Sequence, residues 1–425
     1  MTKNKIRSLV ALSLFGTFII GVGLAKIFTY NLDSHIVEHL NSNLPSSSEI
    51  NKDILSKHLS VALKSNSMPD QIDFDHDGKK QKVLLQYTID PYLQAYMHKL
   101  IKSYSPDYGA FVAIDSQTGK VLSMLSLRRS ETATENFAIA AKFPAASVFK
   151  VVTASAVIDT KKGNPDTIIP FNGANHTLYK KNVSDFRENR WTRYMTIREA
   201  FSRSVNTVFG KLGVFYAGPT NLISYAEKFF FNRPIHGDFP IEMGQVKMDP
   251  TDPWSVASAA SGFTRDNTMS PLQGALIASA IANDGVMMEP YLINSVNDEQ
   301  GNLLYSAEYK QASVIMSPES AVELRSLMAA TVTKGTSRKS FRQTIRQSRH
   351  DDVEMGGKTG SLTGLDPKGK CDWFVGYVIY NNRKIAVAAL TVNEKNWKVK
   401  SSQLASFYLH EYIKREKLIR STASR

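Results

Sequence analysis

An α+β fold, built on one antiparallel sheet with a large helical insertion, is what this chain predicts, on three observations. The first is a hairpin pattern in which β-branched and apolar runs at 109–114 and 120–125 flank the turn Asp115-Ser116-Gln117-Thr118-Gly119. A second hairpin, at 373–379 and 384–392, encloses Tyr380-Asn381-Asn382-Arg383, a turn that tolerates positive φ. The third is the mostly helical patterning between about 137 and 335. Strands near both ends with helices between them place a cleft where the two parts meet.

From the amino terminus, Lys3, Lys5 and Arg7 precede an apolar run over 8–25 that ends at Lys26. Its length and basic flank predict a retained transmembrane anchor, with a signal cleaved at Gly23-Leu24-Ala25 as the alternative, and in either case everything after residue 30 exported. Residues 31–80 are polar and broken by Pro45-Ser46-Ser47-Ser48, and read as a membrane-proximal stalk. Within them Ile50, Ile54, Leu55, Leu59, Ala62 and Leu63 recur at helical spacing. Asp73-Phe74-Asp75-His76-Asp77-Gly78 imitates the start of a calcium loop, but Leu84 stands where the bidentate Glu belongs, so a polar turn is expected instead. The main domain is expected over 81–417. It closes with a helix over about 402–417 that buries Leu404, Phe407, Leu409 and Tyr412, and a basic tail follows at 418–425.

The net charge of +13 comes from 52 Lys+Arg against 39 Asp+Glu. Those basic residues do not alternate with aromatic ones as a nucleic-acid stacking surface would, and a solvated face or attraction to an anionic envelope is the expected reading. The single Cys371 excludes an intrachain disulfide framework and reads as a packed thiol.

The stretch Glu354-Met355-Gly356-Gly357-Lys358-Thr359-Gly360-Ser361 resembles the tail of a phosphate loop. That loop needs a Gly where this chain has Asp352, beside a second carboxylate, Asp351, and a negative pair there repels phosphate. The residues carrying a different chemistry begin at Ser147 and Lys150. Pro144 fits the first turn of a helix and Gly163 its end, which makes Ser147 and Lys150 neighbours on one face. Val148, Phe149, Val151 and Val152 surround the ammonium, and desolvation lowers its pKa. An uncharged lysine beside a serine hydroxyl is a general base beside a nucleophile. Further on, Thr196-Ile197-Arg198-Glu199 is a capping box, followed by Ser204-Val205-Asn206 at a helix junction. Lys358-Thr359-Gly360-Ser361 then starts the last three-stranded run.

Ser-x-x-Lys, Ser-x-Asn and Lys-Thr-Gly in that order form the signature of penicillin-interacting serine enzymes. From about residue 83 to 413 the chain resembles the transpeptidase domain of penicillin-binding proteins. The resemblance extends to Met269-Ser270-Pro271-Leu272-Gln273, Ala282-Asn283-Asp284-Gly285, Lys334-Gly335-Thr336 and Trp373-Phe374-Val375-Gly376-Tyr377. It implies an α/β/α sandwich with a five-stranded antiparallel sheet. It also implies that Ser147 attacks the carbonyl between two terminal D-alanines of a peptidoglycan stem peptide while Lys150 takes its proton. Ser204 would pass that proton to the departing D-alanine, and Asn206 would hold the substrate amide. Lys358, Thr359 and Ser361 would fix the terminal carboxylate, with Gly360 admitting the peptide backbone. The backbone amides of Ser147 and Ser361 would form the oxyanion hole. The resemblance implies β-lactams as covalent inhibitors, neither metal nor cofactor, and a separate glycosyltransferase in the membrane, because only the stalk precedes the domain. A D,D-carboxypeptidase, a membrane-anchored serine β-lactamase and a penicillin sensor share these motifs and stand as alternatives.

Overall fold

The computed structural model describes residues 50–76, 79–129 and 135–423. The expected anchor over 8–25 and the stalk residues before 50 lie outside the described residues, among which no helix is long and apolar enough to cross a membrane.

The central sheet has five strands, all antiparallel, in the order β7-β8-β9-β3-β4. The first hairpin supplies β3 (Tyr108–Asp115) and β4 (Val121–Arg128); the carboxyl-terminal run supplies β7 (Val353–Leu365), β8 (Lys368–Tyr380) and β9 (Arg383–Asn393). Asn381 and Asn382 make the tight turn between β8 and β9 at φ 50° and 63°, values that Asn tolerates better than most residues.

Alternation along each strand divides the interior into two cores. On β9, Ile385, Val387 and Ala389 face one core and Ala386, Ala388, Leu390 and Val392 the other. On β3, Phe111 and Ala113 join the first set, and Ala110, Val112 and Ile114 the second. Helices α2 (Pro91–Tyr104), α10 (Arg338–Gln347) and α11 (Ser401–Ala423) cover the first face. Across the second lies α8 (Pro271–Ala282), whose twelve residues are all buried, the pattern of a helix with no solvent side. The result is a helix–sheet–helix sandwich.

Between β4 and α8 run α3 (Lys150–Asp159), α4 (Ile197–Ser202), α5 (Asn206–Lys211), α6 (Gly218–Lys228) and α7 (Pro253–Ser261). After α8 the chain makes β5 (Ile293–Asp298), β6 (Leu303–Ser306) and α9 (Pro318–Thr333). The helical lobe meets the sheet along β7, which is an edge strand.

Four expectations need correction. Residues 52–64 form a helix, α1, yet not as part of a detached stalk: Leu55, Leu59 and Leu63 are fully buried in the main core. Their i, i+4, i+8 spacing is a narrow stripe, enough to dock a helix whose other faces are polar. Truncation there is expected to act as a core mutation. Leu59→Ala should lower the unfolding free energy by ~2–5 kcal/mol in denaturant melts, and a change below 1 kcal/mol would mean α1 is not docked.

The expected polar turn at 73–78 is in part a strand, β1 (Gln71–His76), with Asp77 and Gly78 outside the described residues. It pairs with β2 (Lys79–Tyr87) in a second, four-stranded sheet of order β1-β2-β5-β6. The basic tail begins as helix, since α11 continues to Ala423, and within it Tyr408 is fully buried while Phe407 is half-buried. Finally, Pro144 is not at a helix start. Phe143–Pro144 is a short strand paired with Thr268–Met269, and the α-helix begins only at Lys150.

Candidate active site

Ser147 lies in a 3-10 turn, Ala146–Phe149, immediately before α3. Three residues per turn bring side chains at i and i+3 onto one line, so the serine sits directly over Lys150. Lys150 Nζ is 2.7 Å from Ser147 Oγ, 2.8 Å from Asn206 Oδ1 and 2.5 Å from the Ser261 carbonyl oxygen. The amine is fully buried and lies 5.8 Å from the centre of the Phe209 ring. Burial, and secondly the like charge of Lys358, hold its pKa well below the ordinary lysine value. A neutral amine has two N–H donors and one lone pair. Asn206 Oδ1 and the Ser261 carbonyl use the donors, which leaves the lone pair facing the serine hydroxyl.

Two backbone features hold this geometry. Ala146 has φ 48°, and Gly262, which caps α7 at φ 65°, presses against it. A Cβ on Gly262 would stand 1.8 Å from the Ala146 carbonyl oxygen, a position only glycine can fill. The same glycine follows Ser261, whose carbonyl receives the lysine N–H. Asn206 opens α5 and is fixed at both ends. Its amide N–H donates to the Asn175 carbonyl at 2.7 Å, and its Nδ2 to the His176 carbonyl at 2.8 Å.

The second lysine enters from the sheet. Lys358 is fully buried on β7, donates to Ser204 Oγ at 2.9 Å and lies 5.6 Å from the centre of the Phe201 ring. Burial lowers its pKa to about 7. Ser204 itself sits between α4 and α5 at φ 58°, after the capping box in which Thr196 and Glu199 cap each other. Thr359 is half-buried and its Oγ1 is 2.6 Å from Thr336 Oγ1, while the Thr336 amide donates to the Ser202 carbonyl at 3.0 Å. Gly360 lies against the nucleophile turn, where a Cβ would meet Val148 N at 3.2 Å. Ser361, one residue on, is exposed.

Ser147, Lys150, Ser204, Asn206, Lys358, Thr359, Gly360 and Ser361 therefore converge from two helices, a helical junction and an edge strand. Sequence reasoning did not find the Ser261 carbonyl, Gly262 or the carbonyls of Asn175 and His176. They act through backbone atoms and carry no side-chain signature. Cys371 is buried, with its thiol pushed up to about 12 by desolvation, and takes no part.

Residues 109–407 match the family model described as the penicillin-binding protein transpeptidase domain. The peptidoglycan D,D-transpeptidase PbpA of Mycolicibacterium smegmatis is 26% identical over 318 residues, 67% of this chain and 62% of that protein. The penicillin-binding protein 1A of Clostridium botulinum is 30% identical over 284 residues, which are 63% of this chain and 30% of its own. The match thus spans under two thirds of the length of these relatives. The crystal structure of the D,D-transpeptidase domain of a peptidoglycan glycosyltransferase from Eggerthella lenta superposes with a TM-score of 0.65 at 24% identity, covering 79% of this chain and 84% of that one. The penicillin G acyl-enzyme complex of penicillin-binding protein A from Mycobacterium tuberculosis gives 0.59 at 25% identity, covering 78% and 80%. With a family model matched over more than half its length, and the serine, both lysines and the edge strand meeting in one cleft, the chain belongs to the penicillin-binding protein transpeptidase family.

Proposed function

We propose that the chain is a peptidoglycan D,D-transpeptidase that cross-links stem peptides through an acyl-enzyme on Ser147 and is acylated by β-lactams at the same atom. The observation that carries this is the fully buried Lys150 amine, its pKa held well below the ordinary lysine value by burial and by Lys358, 2.7 Å from Ser147 Oγ. Lys150 takes the hydroxyl proton as Oγ attacks the carbonyl between the two terminal D-alanines. An ester forms, the amide breaks, and Ser204, bonded to Lys358, relays the proton taken up by Lys150 to the departing D-alanine amine, which leaves Lys150 neutral again. The amides of Ser147 and Ser361 face the oxygen that develops negative charge, a contribution of roughly 3–4 kcal/mol per donor in comparable sites. Asn206 presents its amide to the donor peptide. Lys358, Thr359 and Ser361 hold the terminal carboxylate, while the donor backbone adds to the free edge of β7 beside Gly360. An amine from a neighbouring stem then displaces Ser147 and completes the cross-link.

In this reading the apolar run 8–25 anchors the chain in the cytoplasmic membrane with residues after 30 outside the cytoplasm, and glycan polymerisation comes from a separate membrane glycosyltransferase. Support for it is the basic–apolar pattern of the first thirty residues. The test is labelling of membranes carrying the full chain with fluorescent penicillin. The parent is expected to give a covalent band that Ser147→Ala abolishes, and a band that survives would refute the assignment. Muropeptide analysis then separates cross-linking from trimming: peptide dimers are expected, and shortened stems without dimers would make the enzyme a carboxypeptidase.

A further inference from the structure

Beside the catalytic strand, on the sheet face covered by α10 and α11, lies a cavity of about 590 Å³ that the acyl-transfer steps above do not use. Its lining includes Tyr104, Thr336, Lys339, Lys398, Lys400 and Gln403, and contains no Asp or Glu. Among the described residues the side chains of Lys339 and Lys398 have no hydrogen-bond or ion-pair partner, while Lys400 lies 5.9 Å from the centre of the Trp397 ring and acts on the buried Asp372 carboxylate. Asp372 offsets Lys400 alone, so three ammonium groups around one hollow with no carboxylate in its wall still repel one another, and an anion between them relieves that repulsion. The two bounding helices, of 10 and 23 residues, reinforce the sign, because Lys339 and Gln403 stand in their first turns.

The cavity adjoins the site already described through one contact. Thr336 belongs to its wall and is the residue whose hydroxyl is 2.6 Å from Thr359 Oγ1. Thr359 is paired with Phe374, which is buried in the core under α10 and α11, and Ser361 is paired with Asp372, whose carboxylate accepts the Ser401 amide at 2.7 Å. Cross-strand partners share a face, so the hydroxyls of Thr359 and Ser361 lie on the cavity's side of β7. If those hydroxyls hold the donor's terminal carboxylate, the departing D-alanine vacates the space between Ser147 and Thr336. The attacking amine must arrive through that space, and the rest of its peptide then extends past Thr336 into the lysine-lined hollow.

We propose that this cavity is the acceptor subsite, and that Lys339, Lys398 and Lys400 bind a carboxylate of the incoming stem peptide. This rests on the transpeptidase reading. It gives the acceptor a chemical requirement, a free acid one or more residues beyond the reacting amine, that the donor motifs do not impose. The lysines touch neither the reacting ester nor its nucleophile, so their effect falls on acceptor KM more than on kcat. The pairing is solvent-facing and should fade as ionic strength rises.

The experiment uses the full chain and its Lys339→Gln/Lys398→Gln/Lys400→Gln variant. Both are supplied with a donor pentapeptide ending in D-Ala-D-Ala and with synthetic acceptor stems whose carboxylate is either free or capped as an amide. The parent is expected to show a KM about tenfold lower for the free acid, and the variant is expected to lose that preference. A parent that uses both acceptors equally, or a variant that keeps the preference, overturns the proposal. Inhibition of the parent by inorganic polyphosphate that needs the three lysines, without any acid-over-amide preference, assigns the cavity to a phosphate polymer and overturns it too. Fluorescent penicillin labelling of the same preparations separates the two readings. An unlabelled parent overturns the Ser147 assignment and the subsite with it, whereas a labelled parent indifferent to acceptor charge overturns the subsite alone.

Discussion

Replacing Lys150 by methionine is expected to slow acylation by penicillin about a thousandfold, within the ~10²–10⁴ range that positioned proton transfer contributes. Methionine fills most of the volume but removes the lone pair that takes the Ser147 proton, together with the amine's two N–H donors. The variant should remain folded: it leaves Asn206 Oδ1 and the Ser261 carbonyl without the lysine donor, at ~1–3 kcal/mol each, but it also removes the cost of burying an amine. The pH dependence supplies a separate signature. Burial and then Lys358 depress the Lys150 pKa, so the base is already neutral far below the ordinary lysine range, and acylation rises with pH as it loses its proton. Lys358, depressed to about 7 by burial alone, must keep its proton to hold a carboxylate, so acylation falls as pH passes upward through about 7. The parent profile is therefore a bell with its alkaline limb near neutrality. In Lys150→Met the acid limb should vanish and the alkaline limb stay. An unchanged profile, or a loss of less than tenfold, would remove Lys150 from the role of base.

The second large effect is expected at a residue that touches no substrate. Gly262→Ala places a methyl 1.8 Å from the Ala146 carbonyl oxygen, so the turn that carries Ser147 must move by an ångström or more, or the Ser261 carbonyl must swing away from Lys150. Misplacement on that scale costs about a hundredfold in rate. The left-handed backbone at φ 65° adds ~1–2 kcal/mol of strain for any side chain. Penicillin acylation should fall by at least about a hundredfold, and the melting temperature by several degrees. If the variant acylates at the parent rate, the crowding of Ala146 by Gly262 does not position the nucleophile.

The two hairpins and the three motifs were legible because each is local: a period of two, a turn of two asparagines, a spacing of three. The start of the nucleophile helix was not. Pro144 has the right identity for a first helical turn, but its strand pairing with Thr268 and the left-handed Ala146 are set by residues more than a hundred positions away. The consequence favours function, since the 3-10 turn aligns Ser147 with Lys150 more directly than the expected α-helix. The helix at 52–64 was legible and its placement was not, because three leucines among charged residues do not reveal what they pack against. Similarly, a spacing rule can nominate Asn206 but cannot show that its amide is clamped between Lys150 and the His176 carbonyl.

The outermost position of β7 has a cost that reaches beyond catalysis. A sheet border with unpaired amides can recruit extended strands from sibling molecules and seed fibrous aggregates. At Gly360 that border faces the Val148 turn so closely that even a methyl would be crowded. A Cβ stands perpendicular to the sheet, so this crowding closes one face of the strand and leaves its hydrogen-bonding rim open to any extended chain.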